Sequence, residues 1–208
     1  MDWLSEWTSL HWVTSETLMW LQIATGFFAA LTLIHWKRWL GRKLGRIPTL
    51  DVHFSPKGGC QDALVVELKK ARREILVQAY SFTVDPLTYA LVDAKKRGVN
   101  VEILLDRSNE VERYSDLHIF LNQGLHPLID AEHAIAHNKI IIIDQRVVVT
   151  GSYNFTNQAE GENAENVVII KGQPDIVKRY RENFIVHKAH CKPAEIRQPT
   201  GQGARRAA

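Results

Sequence analysis

Tryptophan is absent from the last 169 of the chain's 208 residues; all six, Trp3, Trp7, Trp12, Trp20, Trp36 and Trp39, stand in the first 39. So uneven a distribution marks two regions built by different rules. Cysteine is nearly absent too. Cys60 and Cys191 are too few for a disulfide framework and lack zinc-ribbon spacing, so both are expected as free thiols in a reducing compartment. Formal charge is missing from Thr17 to Trp36, "TLMWLQIATGFFAALTLIHW", and no Lys or Arg precedes that run. A secretory signal peptide would need a positive n-region there and a small-x-small cleavage site after it, and neither is present. A large charge excess is missing from the body. The chain holds 26 basic and 23 acidic residues, and setting aside the five basic and three acidic ones before Ile47 leaves 21 against 20. That excludes a uniformly basic nucleic-acid binder, though not a local basic groove.

What is present begins with the uncharged run. Its twenty residues, at about 1.5 Å rise each, span roughly 30 Å as a helix, the thickness of a bilayer core. Lys37, Arg38, Arg42, Lys43 and Arg46 follow in "KRWLGRKLGR", and the positive-inside rule then places the downstream domain in the cytoplasm. An exported or periplasm-facing body is the alternative, and a buried core helix or an uncleaved export signal competes with the span itself. Trp20 and Trp36 fall where aromatic rings favour the membrane interface, while Trp3, Leu4, Trp7 and Leu10 could share one face of an interfacial helix. The expected organisation is an interfacial segment at 1–16, a transmembrane helix at 17–36, a basic linker at 37–49, a catalytic domain at 50–192 and a disordered polar tail at 193–208.

The body alternates strand and helix patterns. "LDVHFSP" and "EILVQAYSF" read as strands around a helix carrying Leu64, Leu68 and Ala71; a second helix starts at Asp85-Pro86 and stops at Gly98; "VNVEILLD" is the next strand. A helix with Leu117, Phe120 and Leu121 leads to the strand "HPLID". Three strands, "KIIIID", "RVVVTGS" and "ENVVIIK", are then expected in succession, and a closing helix carries Ile176, Tyr180 and Phe184 on one face. The fold class is α/β, a mixed sheet flanked by helices behind one transmembrane helix.

Four isoleucines, Ile140 to Ile143, read as a strand buried on both faces, bracketed by His137, Lys139 and Asp144. If Ala136 to Asp144 is a regular strand, period-two alternation puts His137 and Lys139 on one face and Asp144 on the other. Ser152 and Asn154 likewise share a face and add a hydroxyl and an amide; Gly151 permits close backbone approach. Glu165, just ahead of "NVVII", could accept a hydrogen bond from the imidazole and fix its tautomer. Such a set suits a tetrahedral anion: Lys139 as fixed charge, Ser152 and Asn154 as donors to non-bridging oxygens, His137 as the nucleophile. It requires no metal and no cofactor. The spacing of His133 and His137 suits zinc only on a helix, and no third ligand is apparent beside them. His53 is read as a strand-end residue.

His137-x-Lys139-x4-Asp144 followed by Gly151-Ser152-x-Asn154 resembles the phospholipase D superfamily signature, and the resemblance runs from Val52 to His190. It is nearest to the small single-motif members, which include bacterial endonucleases, the mitochondrial cardiolipin hydrolase and Zucchini-type nucleases. The resemblance implies a phosphohistidine formed by one histidine while a second protonates the leaving oxygen and later activates water. With one motif per chain, it implies a homodimer with a shared site; Gly26 and Ala30 form a small-x3-small pair that could help join the anchors. It also implies that Glu165 orients the nucleophile and that Asp144 is structural. The extra Cys/His cluster of some Zucchini-type relatives is missing. Three functions fit: a membrane-anchored endonuclease, a phospholipase on cardiolipin or other phosphatidyl lipids, and, more remotely, a non-enzymatic membrane scaffold.

Overall fold

The computed structural model describes residues 14–43, 47–111 and 115–195. It divides into two units, Met1–Ile47 and Pro48–Ala208. In the first, helix α1 spans Ser15–Lys43. Thr14 caps it, its Oγ accepting from the Thr17 N–H at 3.3 Å. The stretch Ser15–Gly41 is long and apolar enough to cross a bilayer, with a mean hydropathy of 1.7 and none of its most apolar window buried. Thr25 and Thr32 donate their hydroxyls to the Leu21 and Phe28 carbonyls, so neither leaves a polar atom unmatched on an apolar helix. Nothing in "KRWLGRK" breaks the helix, which therefore runs through the expected linker to Lys43. The expected interfacial segment lies, up to Val13, outside the described residues.

The second unit contains β1 (Thr49–Phe54), α2 (Cys60–Lys70), β2 (Glu74–Ala79), β3 (Phe82–Thr83), α3 (Asp85–Lys96), β4 (Asn100–Asp106), α4 (Leu117–Asn122) and β5 (Leu128–Asp130). It continues with β6 (Lys139–Ile143), β7 (Val147–Gly151), β8 (Phe155–Thr156), α5 (Asn157–Gly161), β9 (Asn166–Lys171), α6 (Pro174–His190) and β10 (Lys192–Pro193). Eight strands form one mixed sheet in the order β1-β9-β7-β6-β2-β4-β5-β10. Strands β2, β4 and β5 are parallel through the α3 and α4 crossovers, and the remaining pairings in the sheet are antiparallel. This is the α/β mixed sheet flanked by helices that the pattern predicts.

Strand β6 shows what the isoleucines do. All five of its residues are buried. Ile141 and Ile143 enter the core beneath α2 and α3, with Leu64, Leu68, Val77 and Leu91; Ile140 and Ile142 enter a second core with Val148, Val177 and Phe184 beneath α6. Each fully buried side chain contributes about 1.5–3 kcal/mol. A strand covered on both faces has no polar side to trade, so its register is firmly set.

Three expectations need correction. The helices do not cease before the last strands: α5 intervenes, capped by Thr156, whose hydroxyl accepts from the Ala159 N–H. The tail does not begin at 193, because Lys192 and Pro193 pair with β5 and the Glu195 N–H reaches Glu110 Oε1 at 3.0 Å. Nor is 136–144 one regular strand. His137 precedes β6, and Asp144 and Gln145 follow it with φ of 51° and 55°, closed by the Arg146 N–H on the Ile143 carbonyl. That is a type I′ turn, a conformation Asp tolerates better than most residues. The Asp144 carboxylate accepts from the backbone N–H of Arg72 (2.9 Å), Arg73 (2.7 Å) and Glu74 (3.0 Å), tying the turn to the start of β2.

Asp144→Ala removes three acceptor contacts and a left-handed-tolerant residue, so it should lower unfolding stability by about 2–3 kcal/mol. Asp144→Asn should lose less. Equilibrium denaturation of the two variants checks this, and equal stability of Asp144→Ala and wild type would contradict it.

Candidate active site

The functional side chains collect at one edge of the sheet, where β2 and β7 end and β6 and β9 begin. Ala79 pairs with Lys139, and Gly151 pairs with Val167. Carboxyl ends of parallel strands are where open α/β sheets bind ligands. Lys139, the first residue of β6, is 8% exposed. Its Nζ lies 5.3 Å from the centroid of the Tyr80 ring and donates to the His137 carbonyl at 3.2 Å. Burial pulls the Lys139 pKa below the ordinary lysine value, and the Glu165 carboxylate partly restores it. The exposed His137 ring packs edge-on against the same Tyr80, centroids 4.7 Å apart. Both motif side chains therefore rest on one aromatic residue at the end of β2. The Tyr80 N–H also fixes the Asn138 carbonyl at 2.9 Å.

Ser152 and Asn154 follow β7. Ser152 Oγ accepts from the Asn166 backbone N–H at 3.1 Å and from Asn166 Nδ2 at 3.2 Å. A hydroxyl has two acceptor sites and one donor, so the Ser152 O–H is left to donate outward. Asn154 makes no side-chain hydrogen bond among the described residues, and its Oδ1 is buried without a partner. A buried acceptor left unmatched is costly unless a donor completes it. The close approach at Gly151 is to protein backbone: a Cβ there would sit 2.2 Å from the Asn166 carbonyl oxygen.

Glu165 is held by its backbone, exchanging hydrogen bonds with Ser55, and its Oε1 accepts from Asn163 Nδ2 at 3.1 Å. No hydrogen bond joins it to His137 among the described residues; its charge acts on Lys139 instead. Asp144 stands at the opposite end of β6 and takes no place in the cluster. His53, on β1, three strands from β6, pairs with Val167 and lines a separate cavity of about 710 Å³ with Asp51 and Lys171.

Sequence reading missed Tyr80, whose signal is its place just after a strand pattern. It missed Asp106 as well, whose Oδ2 accepts from the Ala136 N–H at 2.7 Å and holds the segment leading into His137. His133 turns away from His137 toward Asp130, His187 and His190. Both thiols are free; burial, followed by the nearby Glu160 and Asp130 carboxylates respectively, pushes the Cys60 and Cys191 pKa values up to about 11.

The family model described as the PLD-like domain of cardiolipin synthase matches residues 64–187. A phospholipase D from Rickettsia typhi is 43% identical over 136 residues, which cover 65% of this chain and 66% of the Rickettsia protein. The match thus spans about two thirds of that relative. A mitochondrial cardiolipin hydrolase from Danio rerio is 25% identical over 87% of this chain and 92% of its own length. Among solved structures, Nuc, a phospholipase D family member from Salmonella typhimurium, superposes with a TM-score of 0.68 at 34% identity, over 71% of this chain and 98% of that one. The chain belongs to the phospholipase D superfamily of phosphodiester-cleaving hydrolases.

An NMR titration of Lys139 tests the electrostatics. Its midpoint should fall below the ordinary lysine value of about 10.4, and Glu165→Gln should lower it further by removing the charge that favours the ammonium. A midpoint unmoved by Glu165→Gln would contradict the pairing.

Proposed function

We propose that the protein is a membrane-anchored phosphodiesterase that works through a phosphohistidine on His137, with nucleic acid as its substrate. The observation that carries this reading is the grouping, where β2 and β7 end and β6 and β9 begin, of the Lys139 ammonium, which spends one of its three N–H groups on the His137 carbonyl, the outward Ser152 hydroxyl and the Asn154 amide, whose Oδ1 is unmatched, beside an exposed imidazole. Donors at this end of the sheet would match the non-bridging oxygens of a phosphodiester, which gain charge as the nucleophile attacks. A His137 ring nitrogen forms a bond to phosphorus as the bond to the leaving oxygen breaks. That oxygen needs a proton, and no second imidazole stands in this cluster among the described residues. A second copy of the chain supplies it across a two-fold axis, and the same imidazole then takes a proton from the water that cleaves the P–N bond. Glu165 keeps Lys139 charged and can turn to the His137 imidazole once the partner is in place.

The segments "TGSYNFT" and "AENVVII", which resemble the bacterial endonuclease branch of the superfamily, support a nucleic-acid substrate. A lipid substrate is the second reading, favoured by α1, which would hold the site near a membrane, and by the name of the Rickettsia relative. The body would then face the cytoplasm, with the basic residues after the span on the same side.

Detergent-solubilised full-length protein should cleave single-stranded DNA or RNA, and His137→Asn should lose at least about 10³-fold in rate. Release of headgroups from anionic phospholipid vesicles without nucleic-acid cleavage would replace the first reading by the second. In mixed dimers of wild type and His137→Asn, activity should fall as the square of the wild-type fraction. A linear fall would remove the shared site.

A further inference from the structure

Away from this site, Asp130, His133, His187 and His190 bring one ligand atom each to within 4.8 Å of one another. Asp130 ends β5 and is 2% exposed. His187 and His190 lie one turn apart in the last turn of α6, 57 residues along the chain. Around Asp130 Oδ2 stand His187 Nδ1 at 2.9 Å, His133 Nδ1 at 3.0 Å and His190 Nε2 at 3.3 Å. Oδ1 meanwhile accepts from the Glu132 and His133 backbone N–H groups.

Hydrogen bonding alone does not complete this arrangement. A carboxylate offers about four lone-pair sites, and Asp130 faces five groups: two backbone N–H groups and three imidazole nitrogens, of which His133 Nδ1 also lies 3.1 Å from Oδ1. The third, His190 Nε2, is buried and lacks the geometry of a hydrogen bond despite its proximity. A single divalent cation satisfies all four atoms at once. The edge of a tetrahedron with metal–ligand bonds of about 2.0 Å is about 3.3 Å, close to the 2.9, 3.0 and 3.3 Å that separate Asp130 Oδ2 from the three imidazole nitrogens; the four atoms lie within 4.8 Å of one another, so the imidazoles would draw together on binding. Imidazole and carboxylate are both ligands that zinc accepts, and four protein donors would leave no position open for water, as a structural rather than a catalytic site requires.

We infer that Asp130, His133, His187 and His190 form a structural zinc site that fastens the C-terminal end of α6 to the end of β5. The site lies where the fold needs a clasp. Immediately after it, Lys192 and Pro193 pair with β5 as its outermost strand. On its other side, residues 131–136 lead to His137, and they are otherwise held by Asp106 on the Ala136 N–H and by Arg107 on the Ala134 carbonyl. Zinc on His133 therefore anchors the base of the segment that presents His137. The inference does not depend on the proposed reaction, because it concerns metal content and stability.

The test is elemental analysis of full-length protein purified in detergent without chelator, together with its thermal midpoint. Wild type should hold one zinc per chain, and stripping it should lower the midpoint by roughly 5 °C or more, reversed by adding zinc back. Cobalt substitution should give the intense visible bands of a tetrahedral ion. His187→Gln/His190→Gln should lose the metal and the cobalt bands. His133→Ala, at an exposed loop position, should weaken zinc binding at least tenfold without unfolding the chain. His137→Asn should keep one zinc even if it abolishes hydrolysis, which separates this site from the proposed active site. Substoichiometric zinc with no midpoint change on zinc addition, or zinc retained by the double variant, would overturn the inference.

Discussion

The rest of the molecule depends on β6 having no polar face. Its alternate isoleucines point into two different cores, so a slip by one residue would exchange two packed layers at once, at a cost of several kcal/mol. That constraint fixes the position of the residue at each end of the strand. Lys139 is buried because it is the first residue of a strand with nowhere to turn, and burial in turn disfavours its ammonium form, which the Glu165 carboxylate partly restores. At the other end the chain must reverse, and Asp144 both tolerates the reversal and gathers three N–H groups from the start of β2. The motif aspartate and the motif lysine thus belong to one mechanical unit, while only one of them faces the proposed chemistry.

Around Lys139 the cluster is assembled from elements distant in sequence. Tyr80 from the end of β2 supports both His137 and Lys139. Asn166 from β9 occupies the acceptor sites of Ser152, and so determines that the hydroxyl donates. Preorganised donors of this kind stabilise charge as it develops without having to reorient, which is where enzymes gain most. The exposed His137 completes only half of an acid–base pair. The proposed two-fold site would supply the other half from a second chain.

Much of this was legible in the sequence, for identifiable reasons. The β2, α3 and β4 rhythm shows because parallel strands and amphipathic helices carry strong periods, and α1 shows because twenty successive residues carry no formal charge. The placing of His137 beside Lys139 was readable, although the strand argument for it assumed a regularity that begins only at Lys139. Short elements escaped. α5 is five residues with one buried side chain, Ala159, too little to carry a pattern; β10 is two residues whose partner lies more than sixty positions away. The four-residue cluster at Asp130 was illegible for the same reason. His133 has no ligand partner nearby along the chain except Asp130, and only the fold brings α6 to it.

The most direct test of the central claim is to quench the reaction of full-length protein with a phosphorus-labelled phosphodiester and look for the covalent intermediate. The account predicts an acid-labile, alkali-stable label on His137, with overall retention of configuration at phosphorus from two successive displacements. Inversion at phosphorus, with no label on His137, would mean that water attacks directly and that the imidazole at this sheet edge is not the nucleophile.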